Sequence, residues 1–195
     1  MSHHIYTTPG FVVDSRPHGE AGKFLYIFTR DLGMIGGVAQ GIRLTQSKLR
    51  YHAQDFSLAT FSLVRGKEIW RIVGAEEFPK LLTKDLARIP TVSPLFVRIM
   101  KTLKRLIAGE EKNEKLFETV ISAYNFLSST THSEADVEYI IMLRILHRLG
   151  YVRDIPEFAV FLADDSFDVN ILTAIQPLRS KAIKEINTAL KESHL

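Results

Sequence analysis

Lys23-Phe24-Leu25-Tyr26-Ile27-Phe28-Thr29-Arg30-Asp31-Leu32-Gly33 is an aromatic and β-branched run that ends in a turn. Residues of these types favour a pleated, half-buried surface, and an Asp-x-Gly stretch after them signals a hairpin. With a period of two, Phe24, Tyr26 and Phe28 share one face, and at least two of them are expected in the core. Lys23 then faces the other way. Beyond the turn, Met34 to Ile42 continues as a third run, interrupted by Gly36, Gly37 and Gly41. Glycines inside a strand mark bends, bulges or close backbone approach, which a small barrel needs in order to close.

Working outward, Phe11 to Arg16 precedes this hairpin as a first strand. Ala53 to Val64 follows as a fourth, Arg65-Gly66-Lys67 turns, and Ile69 to Val73 is the fifth. Five short strands in about 75 residues fit the five-stranded OB barrel. After Phe78-Pro79 the apolar period becomes helical. Ser93-Pro94 starts a helix carrying Leu95, Phe96, Ile99, Met100, Leu103, Leu106 and Ile107, with Gly109 as its stop. A second carries Leu116, Phe117, Val120, Ile121, Tyr124 and Leu127. A third starts at Ser133, with Asp136 in capping-box position, and stops at Gly150. A last one covers Leu178 to Lys191. Strands first and helices afterwards give an α+β chain of two units, 1–78 as an OB-fold nucleic-acid-binding domain and 79–195 as a helical domain.

Composition narrows the function. The chain is 46% hydrophobic and 24% charged, ordinary for a soluble globular protein. No stretch approaches the roughly 18 apolar residues of a membrane span, and Met1 to Gly10 lacks the order of a signal peptide. A cytoplasmic location is expected. There is no cysteine, hence no disulfide and no thiolate metal site. No P-loop, no G-x-S-x-G elbow and no H-E-x-x-H pair occurs, so neither enzymatic turnover nor a cofactor is expected. His3-His4 has no partner at ligand spacing, and Asp164, Asp165 and Asp168 read as a solvated turn. The excess positive charge is local. Residues 1–80 hold ten Lys/Arg against seven Asp/Glu, whereas residues 81–195 hold fifteen of each. A basic face with aromatics is the footprint of single-stranded nucleic acid on an OB fold. The candidate contacts are Lys23, Arg30, Arg43, Lys48, Arg50, Tyr51 and Arg71. Trp70 opposes Arg71 across the sheet and is assigned to the core rather than to base stacking.

Taken in order, Gly19-Glu20, Phe28-Thr29-Arg30-Asp31-Leu32-Gly33, Val38-Ala39-Gln40-Gly41-Ile42-Arg43, Ser47-Lys48, Ala53-Gln54-Asp55-Phe56 and Ile72-Val73-Gly74-Ala75-Glu76 resemble the N-terminal domain of the RecO family. Leu146-His147-Arg148-Leu149-Gly150-Tyr151 is similar to the Leu-Gly-Tyr of that family's helical domain. The resemblance implies a DNA repair and recombination mediator. Such proteins bind single- and double-stranded DNA, anneal complementary strands, recognise the acidic C-terminal tail of the single-stranded DNA-binding protein, and help load RecA together with RecR. The chain departs from the family in lacking the four-cysteine zinc module of many members, whose place Arg153 to Asn170 takes. It is also shorter than typical members. An acidic tail needs an apolar pocket and surrounding cations. Ile140, Ile141, Leu143 and Leu146 with Arg144 and Arg148 offer both, and Lys101, Lys104 and Arg105 form a rival patch. The alternative is an adaptor whose OB barrel contacts protein only.

Overall fold

The computed structural model describes residues 4–78, 93–107, 109–129 and 134–193. They fall into two compact units. One holds the barrel together with residues 107–114, and the other holds the helices.

The barrel is a closed five-stranded OB fold. Its strands are β1 (Ile5–His18), β2 (Gly22–Thr29), β3 (Gly33–Ala39), β4 (Leu58–Arg65) and β5 (Trp70–Glu77). The long β1 pairs with β4 through Ile5–Phe11 and with β2 through Gly10–His18, so one strand serves two sides of the barrel. Its register slips between Val12 and Asp14, and such a bulge bends a strand into a barrel. Closure comes from a short parallel pairing, Gly37 with Trp70 and Val38 with Arg71. Inside lie Val12, Leu25, Ile27, Ile35, Ala39, Phe61, Leu63, Trp70 and Ile72, with Ile42 and Ala53 closing one end.

Three expectations are corrected by the barrel. Leu25 and Ile27, not Phe24 and Tyr26, face the barrel interior; Phe24 and Tyr26 are half-buried on the outer face, while Phe28 is fully buried. The fourth strand starts at Leu58, not Ala53. Before it, α1 (Leu49–His52) is a helical turn and Phe56 takes a positive φ of 66°. The hydrophobic alternation across Ala53 to Phe56 belongs to a connection that caps the barrel. β1 also starts at Ile5 rather than Phe11, because Pro9 and Gly10 are accommodated where the strand passes between its two neighbours.

The second unit comprises α2 (Pro94–Leu106), α3 (Glu114–Ser129), α4 (Glu134–Arg148), α5 (Ala159–Leu162), α6 (Val169–Ile175) and α7 (Arg179–Glu192). Ser93 Oγ accepts from Leu95 N at 3.2 Å at the start of α2. Helix α4 packs against α2, α5, α6 and α7. Its residues Ile140, Ile141, Leu143, Ile145 and Leu146 are all buried, so it is the axis of the unit. Ser133 lies outside the described residues. The expected capping box with Ser133 therefore also lies outside the described residues; the two carboxylate oxygens of Asp136 each accept from Arg179 of α7 at 2.6 Å.

Candidate nucleic-acid interface

The β3–β4 connection carries three cations, Arg43, Lys48 and Arg50, against one carboxylate, Asp55, and all four are exposed. Its backbone is fixed by local turns, Leu44 N to Gly41 O at 3.0 Å and Arg50 N to Ser47 O at 3.2 Å. Arg43 N also donates to Ala21 O at 2.9 Å, which ties the connection to the β1–β2 turn. Lys23, whose parity points it toward the barrel end, joins this group. Lys23, Arg43 and Arg50 line one open cavity of about 400 Å³ with Ile42, Ala53 and Gln54. Its floor is the apolar plug of the barrel and its rim is cationic. Lys48 precedes α1, and Tyr51 on α1 is 69% exposed, ring edge toward His52 at 5.2 Å. Like charges gathered around a concavity, with no competing ion pair among the described residues, raise the local concentration of anions.

Arg30 and Arg71 are not at this mouth. Arg30 follows the other end of β2, about 23 Å from Lys23 at ~3.3 Å per residue. Its guanidinium donates to Glu114 at 2.6 Å. That ion pair belongs to a strap, residues 109–114, laid over the barrel end opposite the cationic mouth. Gly109 O accepts from Met34 N at 3.1 Å. Glu110 pairs with Arg65 and accepts from Trp70 Nε1 at 3.0 Å. The backbone of Glu111 lies so close to Gly33 that an added Cβ would sit 2.3 Å from its carbonyl oxygen. Lys112 lies 3.8 Å from Asp31 and 3.4 Å from Glu114. Arg30 holds the Glu114 carboxyl below its ordinary value, with Lys112 adding to the effect. Trp70 is thus a core residue whose polar edge is satisfied by an acid about forty positions away, a pairing that no local pattern foretells. Arg71 is exposed on the outer face of β5, beside Val38.

The helical unit reorders the residues expected to hold an acidic tail. Arg144 is 1% exposed. Its Nε donates to Phe161 O at 2.7 Å and its Nη2 to Ser166 O at 2.8 Å, and its guanidinium lies 4.5 Å from the Phe167 ring centroid. Arg148 is mostly buried and lies 3.7 Å from Asp165. The two arginines are therefore not a surface pair. From Ile140 to Leu146 every residue of helix α4 is buried, and the nearly unbroken apolar run there was the available sign of it. Asp164, Asp165 and Asp168 do not form a merely solvated turn. Asp164 accepts from Ser166 N at 2.8 Å, Asp165 from Thr119 Oγ1 at 2.8 Å, and Asp168 caps α6 through Ile171 N at 2.8 Å. Of the other patch, Lys101 and Arg105 are exposed and Lys104 half-exposed along α2. An apolar concavity of about 280 Å³ is lined by Ile155, Pro156, Ala159, Leu162 and Ala163, with His147 and Asp154 at its edge. Among the described residues no group of three His, Cys, Asp or Glu is arranged to hold a metal, and no helix is long and apolar enough to cross a membrane.

Residues 1–77 match the family model described as recombination protein O N terminal. The chain is 28% identical over 156 residues to a DNA repair protein RecO of Dehalococcoides mccartyi, covering 80% of this chain and 60% of that protein. It is 28% identical over 160 residues to the DNA repair protein RecO of Heliobacterium modesticaldum, covering 81% and 55%. Against the DNA repair protein RecO of Rubrobacter xylanophilus it is 38% identical over 72 residues, which cover 37% of this chain and 29% of that protein. The chain thus spans a little over half the length of the longer-matching relatives.

Proposed function

We propose that the chain, whose residues 1–77 match the family model described as recombination protein O N terminal, is a RecO-type DNA repair mediator whose barrel binds DNA without sequence preference. The observation that carries the reading is the convergence of Lys23, Arg43 and Arg50 on one cavity at the barrel mouth, with exposed Lys48 and Tyr51 beside it. A cationic groove with an accessible aromatic ring is what a sequence-neutral single-strand binder requires. Phosphate contacts release counterions, so affinity for a labelled oligonucleotide should fall steeply with salt. Equal affinity at low and high salt would leave the adaptor reading, in which the barrel contacts protein only.

The mediator acts in the bacterial cytoplasm without turnover or cofactor of its own, anneals complementary strands, and works with RecR in loading RecA. Its helical unit takes the acidic, apolar-ended tail of the single-stranded DNA-binding protein. The apolar concavity beside α5 suits the tail's end, and Lys101, Lys104 and Arg105 suit its carboxylates. Fluorescence anisotropy with a tail peptide tests this; binding that survives Lys101→Ala/Lys104→Ala/Arg105→Ala unchanged removes α2 from the site.

A further inference from the structure

The outer face of the barrel carries a second arrangement, on the opposite side of the sheet from the core. Arg16 pairs with Phe24 across β1 and β2, Phe24 with Val38 across β2 and β3, and Val38 with Arg71 across β3 and β5. Paired residues point to the same side of a sheet. The transverse row therefore reads cation, aromatic, aliphatic, cation, and spans about 14 Å along the sheet at ~4.8 Å per strand. Within it the side chains are layered. Gly36 has no Cβ, and one built there would lie 2.7 Å from Phe24 Cζ. The Phe24 ring therefore rests on bare backbone. Tyr26 braces it edge-on at 5.1 Å. On the ring sits Arg16, its guanidinium carbon 4.8 Å from the ring centroid. Arg16 is exposed and has no hydrogen-bond or ion-pair partner among the described residues.

We propose that Arg16, held on Phe24 over Gly36, is a stacking site for an unpaired nucleobase of single-stranded DNA. The physical reason is preorganisation. A guanidinium is a planar, weakly hydrated cation that stacks on π-faces, and an arginine free in solution must lose its rotamer freedom to do so. Here the ring beneath it has already set its place, and the solvent side of the cation is accessible. Bases stack on arginine planes as well as on aromatic rings. A base within a duplex has both faces covered, so the site selects single strands. Arg71, exposed at the far end of the row, is placed for an adjacent phosphate. This inference rests on the reading of the barrel as a DNA-binding domain and assigns to it a second source of strand preference beside the exposed Tyr51 ring, since the mouth cations see only phosphates.

Three probes of equal length separate these roles by anisotropy: labelled oligo(dT), an abasic strand of the same charge, and a duplex. Wild type should bind oligo(dT) more tightly than the abasic strand. Arg16→Lys keeps the charge and removes the plane. It should weaken oligo(dT) binding about five- to tenfold, a small part of the range for one stacked base, while leaving the abasic strand, the duplex and the salt slope as they were. Phe24→Leu removes the support beneath the guanidinium and should act in the same direction, with thermal melts confirming that both variants fold. If Arg16→Lys binds oligo(dT) like wild type, or loses oligo(dT) and abasic strand equally, the stacking site is wrong and Arg16 is at most a phosphate contact. If wild type binds none of the three probes, the DNA reading itself fails.

Discussion

Arg144 carries a full charge into the centre of a helical unit and holds it there with two carbonyl oxygens and an aromatic face. Burial holds its guanidinium below the ordinary arginine value, an effect that Asp165 and Asp164 oppose. An arginine so placed fastens the 158–167 segment to α4. Arg144→Leu would leave Phe161 O and Ser166 O without their donor, and should cost about 3 kcal/mol in urea unfolding. Arg43, Lys48 and Arg50 are the opposite case. They are exposed and none takes part in an ion pair within the described residues, so Arg43→Ala/Lys48→Ala/Arg50→Ala should leave the melting temperature within a degree or two. For a single strand, the slope of log affinity against log salt should shrink by about 2. An unchanged slope would place the phosphates elsewhere on the barrel. The apolar run around Arg144 is the one linear sign that separates these two kinds of arginine; the partners that hold each are set by what packs around its helix or loop.

At the scale of elements, the strand run Lys23 to Thr29 and its Asp31-Leu32-Gly33 turn were legible because period-two patterning and turn chemistry are local properties. The helices at Pro94, at the Gly150 stop and at Arg179 were legible for the same reason. The strap was not. Residues 109–114 read as a helix stop followed by charge, and their meaning comes from Gly33, Arg30, Arg65 and Trp70, all distant in sequence. The same holds for the Arg16–Phe24–Gly36 layer, which draws on three strands. Glu114 makes the strap sensitive to acid. Its carboxyl titrates below its ordinary 4.5 in the folded protein. The stability it contributes is therefore present above that value and is lost as pH falls through the folded value. Release should appear as a change in emission from Trp70, the chain's one tryptophan, on acidification from about pH 6 to about pH 3. Glu114→Gln should reduce the size of that change, since Gln keeps an acceptor for Arg30 but has no proton to gain. An identical acid profile in the variant would show that Glu114 does not govern the strap.

Over the whole molecule, two units of different construction share one chain. The barrel is closed by strand pairing and the helices are gathered around α4, and neither draws on a cysteine. The 153–170 segment is pinned by Arg144, Asp165 and Asp168, so a strong chelator should leave the thermal melt unmoved. A drop of several degrees would reveal a metal in the fold. The strap also has a consequence in time. It is about thirty residues downstream of the last strand, so a ribosome adding ~5–20 residues per second completes the barrel strands roughly two to six seconds before it makes the strap. Through that interval Arg30 and Arg65 lack their glutamates and the indole nitrogen of Trp70 lacks its acceptor. The nascent domain therefore emerges more cationic than the finished one, and its final charge is set only when the chain returns from its first long helix to the barrel it has already left.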